Sequence, residues 1–426
     1  MAARDLVELC LEALKVKGFD KAQVRLIANE RHELQAEFNK PSLLRTVHNN
    51  SLSLAGIVDG KRGSITLNKQ DDNAVKQAIN ELWDITQGSI PDKANDISQP
   101  QAPQQFKEGP EVPDYEAMYT RLDELLQYTA STYPTITMGS AVVDHRKYED
   151  VLANSNGVCF STTRGRYGAQ LMFTARDEGG VSSFNFTGFA LNDMETPIAE
   201  IATTDTLLQQ ITEQVHTQKV PEKFVGDLVI TPDCLGTFLS FLTGSISAMP
   251  MITGTSLYKD KLDEQVAAEI FSLHSRPLDL AGGYFITDDG YTTENSTIIE
   301  NGKLRSYLLN LYGSRKTGLQ RAKTGGGCYV VDPGEQSLES LLGDVKRGIL
   351  ITRFSGGRPN DRGDFSGIAK NSYYIEEGKL KYPVSETMIS GNMALLLQNI
   401  VGVSRERADF GNSIYPWIRT TGVGIS

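Results

Sequence analysis

Apolar residues recur at helical spacing from the start of the chain. Leu6, Leu9, Cys10, Ala13 and Leu14 share one face of a helix over residues 5–17, and Gly18 is placed to end it in the left-handed conformation. The first eight residues, Met1 to Glu8, already carry this amphipathic character. Period-two alternation follows at 24–26 and 34–38. The apolar runs 52–54 and 65–67 flank Asp59-Gly60 and Gly63, as in a hairpin. A second helix fits residues 71–86, with Ala74, Val75, Ala78, Ile79 and Leu82 on one face.

The pattern then stops. Residues 88–114 are rich in Pro, Gln, Asp and Ser, too poor in apolar groups to order themselves well, and read as a linker. Beyond them the pattern returns: a helix over 115–131 (Met118, Leu122, Leu125, Leu126), strands with turns at Asn156-Gly157 and Gly179-Gly180, and a helix over 197–216 (Ile198, Ile201, Leu208, Ile211). Helix, hairpins, helix thus occurs twice, which suggests structural duplication. The last half opens with a strand at 228–230 and a helix that starts at Pro232 and runs to about residue 248. Glycine and short strands dominate the rest, with helices at 337–347 and 392–403. The expectation is an α+β fold with these divisions: an α/β unit at 1–87, a Pro/Gln-rich linker at 88–114, a middle α/β unit at 115–218, and a large sheet-rich domain at 219–426.

Charge and composition narrow the function. Over 426 residues, Lys plus Arg is 42 and Asp plus Glu is 53, a net charge of −11, which disfavours direct nucleic-acid binding. No apolar run approaches the ~18–20 residues of a membrane span, and the N-terminus lacks a signal-peptide pattern. The four cysteines (Cys10, Cys159, Cys234, Cys328) are scattered, without a C-x-x-C pair, so a reducing cytoplasm is expected.

Familiar catalytic motifs are missing. His32-Glu33 begins a metalloprotease-like pattern, but Ala36 stands where the second His belongs, and His32 reads as a surface residue. His48, His145, His216 and His274 are isolated from one another in sequence. There is no G-x-S-x-G elbow and no phosphate-binding P-loop. Gly325-Gly326-Gly327 reads as a flexible turn before an anion nest, Cys234 as a buried structural thiol before a nucleophile, and Arg362-Gly363-Asp364 as a chance tripeptide.

The strongest signal lies near the end. It comprises Gly348-Ile349-Leu350-Ile351-Thr352, Gly363-Asp364-Phe365-Ser366-Gly367, a hairpin closed at Glu377-Gly378, and Ile389-Ser390-Gly391-Asn392 leading into a capped helix. With Ile299 to Leu304, Leu308 to Tyr312 and Asp332 to Glu339, these blocks resemble the TldD/PmbA family over nearly the whole chain. That family was once described as modulators of DNA gyrase and is now treated as metallopeptidases.

Its TldD branch carries an H-E-x-x-G-H helix, and a cysteine near the C-terminus completes the zinc ligands. Matching Gly236 and Gly244 to the family glycines puts Ser240 at the first His, Phe241 at the Glu and Ser245 at the second His. No cysteine follows Cys328. Serine binds zinc poorly beside imidazole or thiolate, and Phe moves no proton. The resemblance therefore implies the PmbA branch, also called TldE: the non-metal half of a two-subunit protease that acts on unfolded or extended peptides, including microcin precursors and an antitoxin.

On this reading the chain holds no metal or cofactor, and its catalytic residues are unassigned. Zinc resides only in a TldD-like partner. The candidate substrate-channel wall is Ser240, Phe241, Ser245, Gly363, Asp364, Phe365 and Ser366, where sheet edges accept extended peptide by strand addition. Simple packing of helix against sheet remains an equal reading of these residues. The alternatives are a self-sufficient peptidase with an unrecognised site and a non-catalytic interaction protein resembling a gyrase modulator. In isolation a homodimer is expected.

Overall fold

The computed structural model describes residues 3–426. Met1 and Ala2, at the head of the expected N-terminal helix, lie outside the described residues. The N-terminal part begins with α1 (Ala3–Lys17), which buries Leu6, Val7, Cys10 and Leu14. Gly18, at φ +108°, ends it. Strand β1 (Lys21–Glu37) turns through Phe38 and Asn39, both at positive φ, into β2 (Lys40–Val58). The Asp59-Gly60 turn leads to β3 (Lys61–Leu67), and Asp71 caps α2 (Asp72–Gly88) by accepting from the Ala74 N–H. The two short alternating runs expected at 24–26 and 34–38 are one continuous strand. The charged residues between them have polar partners on both faces, so apolar alternation lapses without breaking the ladder.

The Pro-rich segment is held against the sheet. Its β4 (Gln104–Glu108) pairs in parallel with a later strand, and Ala94 and Ile97 are buried. Asp96 takes Lys21 at 2.5 Å and Arg315 at 2.7 Å, and Phe106 stacks on Phe285 with centroids 4.8 Å apart. Polar contacts order a stretch that lacks the apolar content to order itself.

The second unit follows as α3 (Tyr115–Thr132), β5 (Ile136–Asn154), β6 (Cys159–Asp177), β7 (Gly180–Val181), β8 (Asn185–Leu191) and α4 (Thr204–Glu213). The helix expected over 197–216 is broken: a 3₁₀ turn at Ile198–Glu200 is separated from α4 by Ala202 at φ +52°. Both units contribute to one eight-stranded sheet of order β3-β2-β1-β5-β6-β4, with β7 and β8 also on β6. The units join through the antiparallel β1–β5 pair, from Gln23↔Asn154 to Ala36↔Ala141. Helix, long hairpin, third strand, helix therefore recurs on either side of that pair.

Side chains alternate across these strands. One face packs residues such as Val24, Leu26, Val143 and Leu171 against the helices. The opposite face carries Arg25, Arg31, Glu33, Asp144, Arg146, Asp150, Arg164 and Arg166, and near its end Leu152 and Phe160 pack on Ile286. That face looks toward the second half of the chain.

The second half contains β9 (Phe224–Ile230), α5 (Pro232–Ser245), α6 (Ala248–Thr253), β10 (Leu273–Ser275), β11 (Ser296–Glu300), β12 (Lys303–Leu304), α7 (Leu311–Thr317), β13 (Tyr329–Val331) and α8 (Leu338–Gly343). It continues with β14 (Arg347–Ile351), β15 (Arg353–Gly356), β16 (Asp364–Lys370), β17 (Ser372–Glu376), β18 (Lys379–Val384), β19 (Thr387–Asn392), α9 (Met393–Gln398), β20 (Ile400–Asp409) and β21 (Ile414–Ile425). The strands form a 13-stranded sheet with β9 between β14 and β21. The architecture is α+β, with helix–hairpin units followed by a sheet-rich C-terminal domain.

Three expected helices are shorter than their apolar spacing suggests. The first stops at Ser245 before α6 begins, and the second gives way to β14 at Arg347. The third stops at Gln398, where alternate burial carries residues 400–403 into β20. Its expected cap holds: Asn392 accepts from the Ala394 and Leu395 N–H groups. Glu377 and Gly378, both at positive φ, close the β17–β18 hairpin.

Candidate functional site

Helix α5 begins with Thr231 in an extended conformation at the cap and Pro232 in the first turn. Leu235, Phe238, Leu239 and Leu242 enter the main core. Phe238 meets Phe354 at 5.5 Å and Phe365 at 6.0 Å between centroids. The outward stripe of the helix is Thr237, Ser240 and Gly244, flanked by the part-exposed Phe241 and Ser245. Ser240 donates to the Thr237 carbonyl at 2.6 Å. A Cβ added at Gly244 would meet nothing within 4 Å, so the space above this turn is open.

The second candidate segment comes to the same place. Gly363, at φ +87°, turns the chain into β16, and a Cβ there would lie 3.3 Å from Cζ of Phe241. Asp364 accepts from Asn392 at 2.9 Å and from Asn360 at 3.1 Å, which holds its carboxyl below the usual range. Beyond Gly363 the expected glycine-rich turn is strand. Phe365 is buried in the aromatic cluster with Phe238 and Phe354, so it belongs to the core, while Asp364 and Ser366 face outward. Ser366 lies opposite Ser390 on β19.

A cavity of about 540 Å³ opens at the end of α5, between the two halves of the molecule. Ser247 and Met249 line one side, Tyr284 and Gly325-Gly326 another, and Arg25 of β1 a third. Arg25 grips Asp150 at 2.7 and 2.9 Å and reaches Asp288 at 2.5 Å. Arg321 grips Asp289 at 2.7 and 2.8 Å and stacks on Tyr291 at 3.9 Å. Burial works against the Asp289 charge, yet Arg321 and Thr287 hold its carboxyl low. The Gly325 N–H donates to the Tyr284 hydroxyl, which donates to the Gly326 carbonyl, each at 2.7 Å. The glycine loop is therefore a pinned turn. Cys234, in the first turn of α5, is buried, and burial pushes its thiol up, away from thiolate.

Register brings together residues that sequence spacing kept apart. His32 and His145 are direct neighbours across β1 and β5, with rings 6.2 Å apart. His32 is buried rather than superficial, held by Glu30 at 2.6 Å and Tyr115 at 2.5 Å. His145 bonds the Pro110 carbonyl at 2.7 Å, and burial holds its pKa down. Among the described residues, no group of three or more His, Cys, Asp or Glu side chains is placed to hold a metal. Ser240, Phe241 and Ser245 likewise offer two hydroxyls and a phenyl ring, which do not fit a zinc ion.

Residues 224–426 match the family described as PmbA/TldA metallopeptidase C-terminal domain. The chain is 25% identical to Metalloprotease PmbA of Escherichia coli O157:H7, over 98% of this chain and 96% of that one. It is 25% identical to a Zinc metalloprotease TldD homolog of Saccharolobus solfataricus, over 44% of each chain. Its fold matches the crystal structure of TldE from Thermococcus kodakarensis with a TM-score of 0.83 at 21% identity, covering 99% of this chain and 100% of that one. The second half of the chain thus matches the PmbA/TldA metallopeptidase C-terminal domain, and nearly the whole chain is similar in sequence to Metalloprotease PmbA and in fold to TldE.

Proposed function

We propose that the chain is the TldE-type subunit of a two-subunit metallopeptidase and forms one wall of a channel for unfolded or extended peptides. A TldD-type partner supplies the zinc and the water-activating base. The observation that carries this reading is the solvent-facing side of α5, where Ser240, Phe241 and Ser245 present two hydroxyls and a phenyl ring; the family resemblance sets these three against the metal-binding residues of the other branch. Phe241 against Gly363 joins this stripe to the exposed Asp364 and Ser366 of β16, giving a continuous surface beside the interdomain cavity.

A docking edge for a second subunit supports the same reading. Strand β3 pairs β2 only from Leu52 to Val58, and among the described residues no strand pairs the outer edge of residues 42–51. Leu43 and Leu44 are exposed there. Such an edge takes up a strand from another chain, whether a TldD-type partner or a second copy of this one.

The test is reconstitution. The chain alone, a TldD-type protein alone and the mixture are assayed on an unfolded peptide, with zinc measured in each. Cleavage by the mixture well above the partner alone, with zinc tracking the partner, is expected. Hydrolysis by the lone chain, with stoichiometric zinc on its own side chains, would overturn the reading.

A further inference from the structure

Three arginines stand in one row across the middle of the N-terminal sheet. Arg31 on β1 is the direct partner of Arg146 on β5, and Arg146 is the direct partner of Arg166 on β6. Like charges placed opposite one another destabilise a sheet, so this row has a stability cost unless an anion compensates it. The first two are compensated. Asp144 takes Arg31 and also Arg146, at 3.1 Å, while Glu33 takes Arg31 and Arg45. Arg166 is compensated only at a distance: it is part-buried, it feels the Asp144 charge, and among the described residues no carboxylate or hydrogen-bond acceptor pairs with its guanidinium directly. Its neighbours add to the problem, because Arg146 and Arg164 are both positive. The nearby Cys328 offers no anion, since burial pushes its thiol up.

Arg146 and Arg166 face a cavity of about 330 Å³ between the sheet and the C-terminal domain; Asp144 also lines it, with its charge engaged by Arg31 and Arg146. Gly282 and Asn412 close it from the far side, and Gln170 and Asn412 bring side-chain amides to its rim. The glycine at 168 is part of the construction. A Cβ there would come within 3.0 Å of an Asp144 carboxylate oxygen, the one that Arg146 holds at 3.2 Å. The chain as a whole carries −11, which repels extended polyanions such as nucleic acid. A single planar carboxylate escapes that repulsion and suits the guanidinium fork.

We propose that the Arg146–Arg166 cavity binds a carboxylate of a peptide chain, either its C-terminus or an acidic side chain. That the ligand is a peptide rests on the function proposed above; the row, the arginine without a direct partner and the cavity do not.

The full chain, without any partner, is titrated calorimetrically with four probes: a short peptide with a free C-terminus, the same peptide amidated, the amidated peptide with one internal Glu, and inorganic phosphate. The two carboxylate-bearing peptides, or one of them, should bind at least about tenfold more tightly than the neutral amide, as a charge-assisted pair requires. Preference for the free acid assigns the site to chain ends, and preference for the Glu peptide assigns it to side chains. Arg166→Gln should erase the difference and raise the thermal midpoint, because it removes a part-buried charge that has no direct partner and two positive neighbours. Arg166→Lys should keep part of the affinity. Equal binding of acid and amide, binding of phosphate alone, or full affinity in Arg166→Gln would overturn the proposal. So would a lowered midpoint in Arg166→Gln, which would mark a structural role. Because binding is read on the lone chain, its failure leaves the two-subunit reading standing, and failure of reconstituted cleavage leaves the carboxylate site standing.

Discussion

Helix α5 and the arginine row depart from ordinary packing in opposite directions. Along α5 the inward face is an apolar core surface, and the outward stripe carries no ionisable side chain from Thr237 to Ser245. Along the row, charge is concentrated at the centre of a sheet, where apolar pairs would be more stable. The helix turns hydroxyls, a phenyl ring and a glycine toward solvent and no group that could bind a metal or move a proton. The row holds charge with no motif to announce it. The helix offers a surface without charge, whereas the row offers charge without a full set of counter-ions.

The sharpest way to break this comparison is at the inward face of α5. Phe238→Ala should cost about 3–5 kcal/mol in urea unfolding, because the ring is 4% exposed and packs against two other phenyl rings. A loss below ~1 kcal/mol would mean that the aromatic cluster does not fix the helix against β15 and β16.

The next largest effect belongs to the row. Asp144→Asn removes the carboxylate shared by Arg31 and Arg146. Fully buried pairs lose about 3–5 kcal/mol when one partner goes, but these guanidiniums keep 24% and 31% exposure, so about 2 kcal/mol is expected. Added salt should narrow the gap between the two proteins by screening the arginines. A neutral Asp144→Asn would show that water already compensates the row, and the case for a ligand at Arg166 would weaken with it.

The same contrast explains what could be read from the sequence. The helix was legible because its residues are contiguous: Pro232 marks the start and apolar spacing marks the inward face. The α+β class and the repeated helix–hairpin unit were legible for the same local reason. The row was not. Arg31, Arg146 and Arg166 become neighbours only once β1 pairs with β5 and β5 with β6, and one residue of slip in either register would separate them. His32 and His145 were hidden in the same way. The order of residues 88–114 was missed for a different reason: Asp96, Ser98 and Phe106 are fixed by distant partners, and composition measures only what a segment buries alone.

The smallest effect is the most discriminating for the helix. Ser240→Ala and Ser245→Ala should each change unfolding stability by no more than about 0.5 kcal/mol, since Ser240 is exposed and bonds only its own helix, and Ser245 keeps part of its surface in solvent. Phe241→Ala should cost more, because its ring closes on Gly363. If the outward stripe is a channel wall, the serine variants with a TldD-type partner should show altered kcat/KM for peptide cleavage while their melting curves stay unchanged. If the stripe is only the solvent side of a packed helix, both cleavage and melting will match the parent. Activity without stability is therefore the measurement that separates a wall from a surface, and Ser240 and Ser245 are the positions where a packing effect is least able to imitate it.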